Sequence, residues 1–114
     1  MWLFIEVDGY RPPYRQNFES DDERRRVEER RSILVSKAKE IIGKRGLKLL
    51  EGDLLVFILC EFSGTPKPDA DNVIGGILNA LEGIVFLNDK QVKSINYHER
   101  ISGEDRYCVL ITEM

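Results

Sequence analysis

"DLLVFILCEF", Asp53 to Phe62, is a continuous apolar run rich in β-forming residues and interrupted only by Glu61. Such a run, short and unbroken, predicts a strand covered on both faces. "SGTPKP" ends it, since its prolines and glycine cannot continue a ladder. Downstream, Val73, Ile77, Leu78 and Leu81 recur at helical spacing, so a helix runs from Asp69 or Asp71 to Leu81 despite Gly75 and Gly76 in its first half. "GIVFLNDKQV" follows as a short apolar segment ending in a turn at Asn88-Asp89. "VKSINYHER" (92–100) and "RYCVLITE" (106–113) then alternate as two strands, joined at "ISGED" as a hairpin. Upstream, Ser20 and Glu23 form an S-x-x-E capping box at the start of a helix that reaches about Lys44, with Gly46 as its stop signal. Val27, Ile33, Leu34, Ala38, Ile41 and Ile42 give that helix its apolar side. A Pro-punctuated loop, "DGYRPPYRQNF", separates it from a first strand, "WLFIEV" (2–7). The order is β-α-β-α-β-β, an α/β chain of the mixed α+β kind in which two helices pack on a small mixed sheet.

The 114 residues fit one domain spanning 1–114, 42% hydrophobic and 32% charged, which excludes a disordered chain. No apolar run is long enough to span a bilayer, and the N-terminus lacks the basic start and cleavage site of a signal peptide. Cys60 and Cys108 lie in apolar stretches without metal-ligand spacing, as reduced core thiols of a cytoplasmic protein would. The net charge of −3 hides an asymmetry. Residues 1–50 hold 12 Lys/Arg against 9 Asp/Glu, whereas residues 51–114 hold 5 against 11. That division suits an acidic centre flanked by phosphate-binding cations.

Asp69 and Asp71 straddle the start of the second helix, and Asp89 follows it in a turn. Carboxylates are the anionic ligands that hard cations such as magnesium and manganese take. Three of them converging would repel one another unless a divalent ion kept them ionised. Each also has a simpler use: Asp71 as a helix cap, Asp69 in the turn after Pro68, Asp89 as a turn residue. On that alternative the chain is a small structural protein. A calcium loop starting at Asp69 fails, because Val73, Ile74 and Ala80 occupy the third-ligand, glycine and closing-glutamate positions.

"KPDADN", an apolar helix ending "ALEGIVF", and "NDKQV" together resemble the signature of RusA-type Holliday-junction resolvases, roughly KPDxDN, a lysine one turn on, DALxG and DDxQV. The terminal "LITEM" and the Pro-rich "RPPYRQN" extend the resemblance over most of the chain, though its specific part spans Lys67 to Val92. It implies a homodimeric endonuclease that cuts four-way DNA junctions with magnesium or manganese. By position it assigns Asp69, Asp71 and Asp89 to metal binding and catalysis. The family lysine falls on Gly75, the first acid of DDxQV is Asn88, and Asn79 stands where DAL has aspartate. Either Lys67 or Lys90 substitutes for the lysine, or the chain is a slow or non-catalytic junction binder. A vacant position at 75 predicts that Gly75→Lys raises activity.

Lys67, Asn72 and Lys90 within the motif, and Arg11 and Arg15 in the N-terminal loop expected to flank the metal end, are the candidate DNA contacts. The "ERRRVEERR" run (23–31) is either a DNA-facing stripe or, as the Arg24–Glu28 and Arg25–Glu29 spacings favour, a solvated helix face. His98 has no spaced partner. Tyr10, Tyr14 and Phe18 either stack on unpaired bases or pack the loop down.

Overall fold

A computed structural model describes residues 1–64 and 66–114; within the "SGTPKP" break, Thr65 lies outside the described residues. The elements are β1 (Trp2–Asp8), α1 (Asp21–Arg45), β2 (Leu54–Phe62), α2 (Ala70–Leu81), a single 3-10 turn (Asp89–Gln91), β3 (Val92–Ile101) and β4 (Arg106–Glu113). This is the β-α-β-α-β-β order expected, with one four-stranded mixed sheet ordered β1-β4-β2-β3.

α1 begins where Ser20 accepts a hydrogen bond from the Glu23 amide and ends where Gly46 turns left-handed, at φ 62°. Only half of the expected capping box forms. The Glu23 carboxylate reaches back past Ser20 to the Glu19 amide, and also accepts from the Tyr14 hydroxyl at 2.7 Å.

β2 takes the centre, antiparallel to β4 and parallel to β3. The hairpin expected between the last two strands does not exist: β2 lies between them. Burial decides this. β2 is the most apolar strand and gains most from two neighbours, whereas β3 carries Lys93, Asn96, His98, Glu99 and Arg100, suited to an edge. The 102–105 segment crosses the end of β2 instead, where Ser102 N–H donates to the Phe62 carbonyl and Ser63 N–H to the Asp105 carboxylate.

The expectation that β2 is covered on both faces is also corrected. Leu54, Val56, Ile58 and Cys60 are buried, but Leu55, Phe57 and Leu59 are only half-buried. Both helices pack on one face, where Leu34 and Ala38 of α1 and Val73, Ile77 and Leu81 of α2 join Leu3, Ile5, Val109 and Ile111 in the core. On the open face the strand register aligns Phe4, Leu110 and Phe57 in one row. The run reads as continuous because that open face is apolar as well.

Candidate functional site

The prolines at 66 and 68 hold the chain extended up to Asp69, which occupies the N-cap position of α2 at φ −66° and ψ 149°. Its carbonyl accepts from the amides of Asn72 and Val73, both at 3.1 Å. Its side chain, however, makes no capping hydrogen bond. A residue type that normally caps thus leaves its carboxylate free. Asp71 lies in the first turn, exposed, and among the described residues neither aspartate forms an ion pair. The positive end of α2 favours both anions. Two free carboxylates of hard oxygen donors fit part of the shell of a magnesium or manganese ion.

Asp89 lies elsewhere. Its amide donates to the carboxylate of Glu82, the C-cap of α2, so it sits at the far end of that helix. The helix rise of about 1.5 Å per residue puts Asp69 and Glu82 about 20 Å apart. Within one chain the three aspartates are therefore not brought together, and among the described residues no group of three or more acidic, His or Cys side chains is close enough to hold a metal. The "NDKQ" segment explains its own composition. Asn88 accepts from the Lys90 amide, and Gln91 accepts from the Asn88 amide while donating to the carbonyls of Leu50 and Gly52. Asparagine caps as well as aspartate does, so its presence at 88 preserves the local fold. Lys90 shares the Asp89 end.

Beside Asp69 lies a cleft of about 410 Å³ lined by Arg11, Arg26, Arg30 and Lys67, with Tyr14 and Glu23. Arg11 is largely committed to structure: it donates to the carbonyls of Gly64 and Pro66 and pairs with Asp105. Lys67 pairs with Glu99. Arg26 and Arg30 make no ion pair among the described residues, and burial, with Arg11 and Arg26 nearby, holds the Arg30 guanidinium below its ordinary value. From the sequence these two belong to the 23–31 run, where a solvated face is favoured over a DNA-facing stripe and neither arginine is singled out. Their signal was the i,i+4 spacing from 26 to 30, on the side of α1 where Glu23 is taken by the loop. The expected Arg24–Glu28 and Arg25–Glu29 pairs do not form; Arg25 pairs with Asp22.

The N-terminal loop crosses α2 next to this cleft. An added Cβ at Gly76 would meet the Tyr14 Cα at 2.5 Å, so only glycine lets the loop backbone pass. The Arg15 amide donates to the Asn72 carbonyl at 3.0 Å, and the Asn72 side chain donates to Gln16. Tyr14 meets Phe18 edge-on, and burial together with Glu23 pushes its hydroxyl up to about 12. These aromatics pack the loop down. Gly75 is not vacant: the Arg15 guanidinium lies 3.0 Å from the position its Cβ would take. Asn79 accepts from Arg31 of α1 at 2.6 Å, tying the two helices together. His98 packs against Phe57 on the open face. Cys60 and Cys108 are free thiols.

Residues 16–112 match the family described as Endodeoxyribonuclease RusA, so the match spans nearly the whole chain. No curated protein sequence matches it. Among the described residues no helix is long and apolar enough to cross a membrane.

Proposed function

The chain belongs to the RusA endodeoxyribonuclease family, and from that premise we propose that it is a metal-dependent nuclease that resolves four-way DNA junctions by hydrolysing phosphodiesters. The observation that carries the reading is the free carboxylate of Asp69, which stands at a helix N-cap without capping, beside Asp71 and a cleft lined by arginines. Asp69 and Asp71 would hold magnesium or manganese, which when bound makes a water more acidic and neutralises charge on the phosphate. Arg26 and Arg30, which carry no ion pair among the described residues, draw the adjoining phosphates into the cleft, with Lys67 joining them if it leaves Glu99. Arg11 holds the cleft wall through Gly64, Pro66 and Asp105, while Lys90 and Asn72 contact the strand on either side.

Asp89 enters through a second copy of the chain. A homodimer with two-fold symmetry suits the symmetric strands of a junction. A two-fold that sets the Asp89 end of one protomer against the Asp69 end of its mate completes two equivalent acidic sites.

The test is cleavage of a synthetic four-way junction, compared with linear duplex, in magnesium or manganese. The wild type cuts the junction selectively. Asp69→Asn and Asp71→Asn each slow cutting by about 100-fold or more, the loss expected when several kcal/mol of ion-dependent stabilisation disappear, while junction binding persists. Binding without any cutting by the wild type would leave a junction-binding protein and sink the nuclease reading.

A further inference from the structure

Glycine inside a helix is destabilising, and α2 carries two in succession. Gly76 is compelled by loop backbone: Pro13 and Tyr14 pass within 3 Å of where its Cβ would lie. Gly75 has no such reason. The three atoms nearest its absent Cβ all belong to one guanidinium, Arg15 Cζ, Nε and Nη2, each at 3.0 Å, so the planar group lies face-on against the helix. The loop fixes this placement on both sides of Arg15. Tyr14 is held by Glu23 and by the close passage at Gly76, the Arg15 amide by Asn72, and Gln16 by the Asn72 side chain.

Position 75 is one turn beyond Asp71, and residues i and i+4 are neighbours on a helix surface, about 6 Å apart at Cβ. The guanidinium is thus seated on the flank of α2 below the Asp71 carboxylate. It nevertheless forms no ion pair or hydrogen bond through its side chain among the described residues, and it is exposed. An unpaired cation seated one turn from the unpaired Asp71, on the helix whose N-cap Asp69 is unpaired as well, suits a group that cation and carboxylate-held ion can share, and a phosphate meets that description. A guanidinium's forked donors match two non-bridging phosphate oxygens.

We propose that Arg15, delivered by the N-terminal loop onto Gly75, is the residue that stabilises charge on the scissile phosphate. The proposal rests on the phosphodiesterase reading above. In the reaction a water oxygen bonds to phosphorus as the bond from phosphorus to the departing sugar oxygen breaks. That oxygen keeps the electron pair and ends protonated, and the surplus proton of the attacking water passes to solvent. Negative charge rises on the non-bridging oxygens in between, and Arg15 faces them.

Single-turnover cleavage of a synthetic four-way junction in manganese tests this, with junction affinity and thermal melting measured on the same variants. Arg15→Ala slows cutting by about 100-fold or more while affinity and melting stay near those of the wild type. Added guanidinium ion partly restores Arg15→Ala and does nothing for Asp71→Asn. The double variant Arg15→Ala/Gly75→Lys, which offers a cation from the helix itself, cuts faster than Arg15→Ala alone. Gly75→Lys by itself gives no gain, because it displaces a cation already there. Wild-type cutting by Arg15→Ala, a loss matched by loss of binding or melting, or a gain from Gly75→Lys alone each overturns the assignment and leaves the nuclease reading standing. A wild type that cuts no junction overturns both.

Discussion

A Cβ at Gly76 would meet the Cα of Tyr14 at 2.5 Å and the carbonyl oxygen of Pro13 at 2.6 Å, backbone atoms that no side-chain rotation can move aside. One at Gly75 would meet only the far end of a long side chain. Alanine in a helix interior is favoured over glycine by about 1 kcal/mol, whereas overpacking against fixed atoms costs about 1–3 kcal/mol. The two neighbouring substitutions should therefore separate. Gly76→Ala is expected to lower the melting temperature, the clash exceeding the propensity gain. Gly75→Ala is expected to melt at or above the wild type while cutting junctions more slowly, since Arg15 is pushed off its seat. Melting curves and cleavage rates on both variants check this, and a rise in melting temperature for both would mean that the loop does not lie across α2. In the sequence the glycine pair registers only as a penalty on a helix. What lies against it comes from a loop before α1, distant in the chain, and local spacing carries no record of such a contact. By contrast, the D-x-D pair at Asp69 and Asp71 is a local pattern at a helix start, so it can be picked out as a candidate from the sequence, whereas the missing cap bond that distinguishes it from a plain cap cannot.

At the scale of the elements, Glu61 is the one charged residue in the β2 run, and the register accounts for it. Across the open face it stands opposite Arg106 of β4 and Arg100 of β3, with Asp8 of β1 beyond Arg106, giving a row of alternating sign over all four strands. Glu61 is buried beneath its neighbours, and the hydrogen bonds from Arg106 and then Arg100 hold its carboxyl down to about 2, against an ordinary 4.5. A carboxylate depressed by folding contributes stability that is fully present above its unfolded value. That stability is lost as pH falls from about 4.5 through about 2. Melting temperature measured from pH 6 to pH 2 should fall across that window, and Glu61→Gln should flatten the fall while lowering the plateau. An unchanged slope would mean that the row does not tie the strands together. The sequence supplied every strand but not their neighbours. Adjacent strands in sequence usually pair, so β3 and β4 read as a hairpin. The rule failed because the apolar β2 run takes the centre, where Glu61 then meets an arginine from each neighbour.

Over the whole molecule, the two ends of α2 define two poles, Asp69 and Asp71 at one and Asp89 at the other. Helix length was readable from the sequence, and at about 1.5 Å per residue it already placed Asp89 far from the pair unless the chain returned along the helix. It does not return: Gln91 anchors the 3-10 turn to the carbonyls of Leu50 and Gly52, next to the start of β2. A site drawing on both poles then needs two protomers, and mixing variants distinguishes this from a site built within one. Asp69→Asn/Asp71→Asn protomers lack the pair, and Asp89→Asn protomers lack the third acid, so each homodimer should be inert. In a mixed dimer with shared sites, one site collects every substitution. The other receives an intact pair from one protomer and an intact Asp89 from its mate. Co-refolded mixtures should therefore recover nicking of one strand of a four-way junction, with little recovery of paired cuts. If each protomer instead built its own site, no combination of the two variants would contain a complete one and the mixture would stay silent. Silence from a mixture shown by differential tags to contain mixed dimers would remove Asp89 from the shared site.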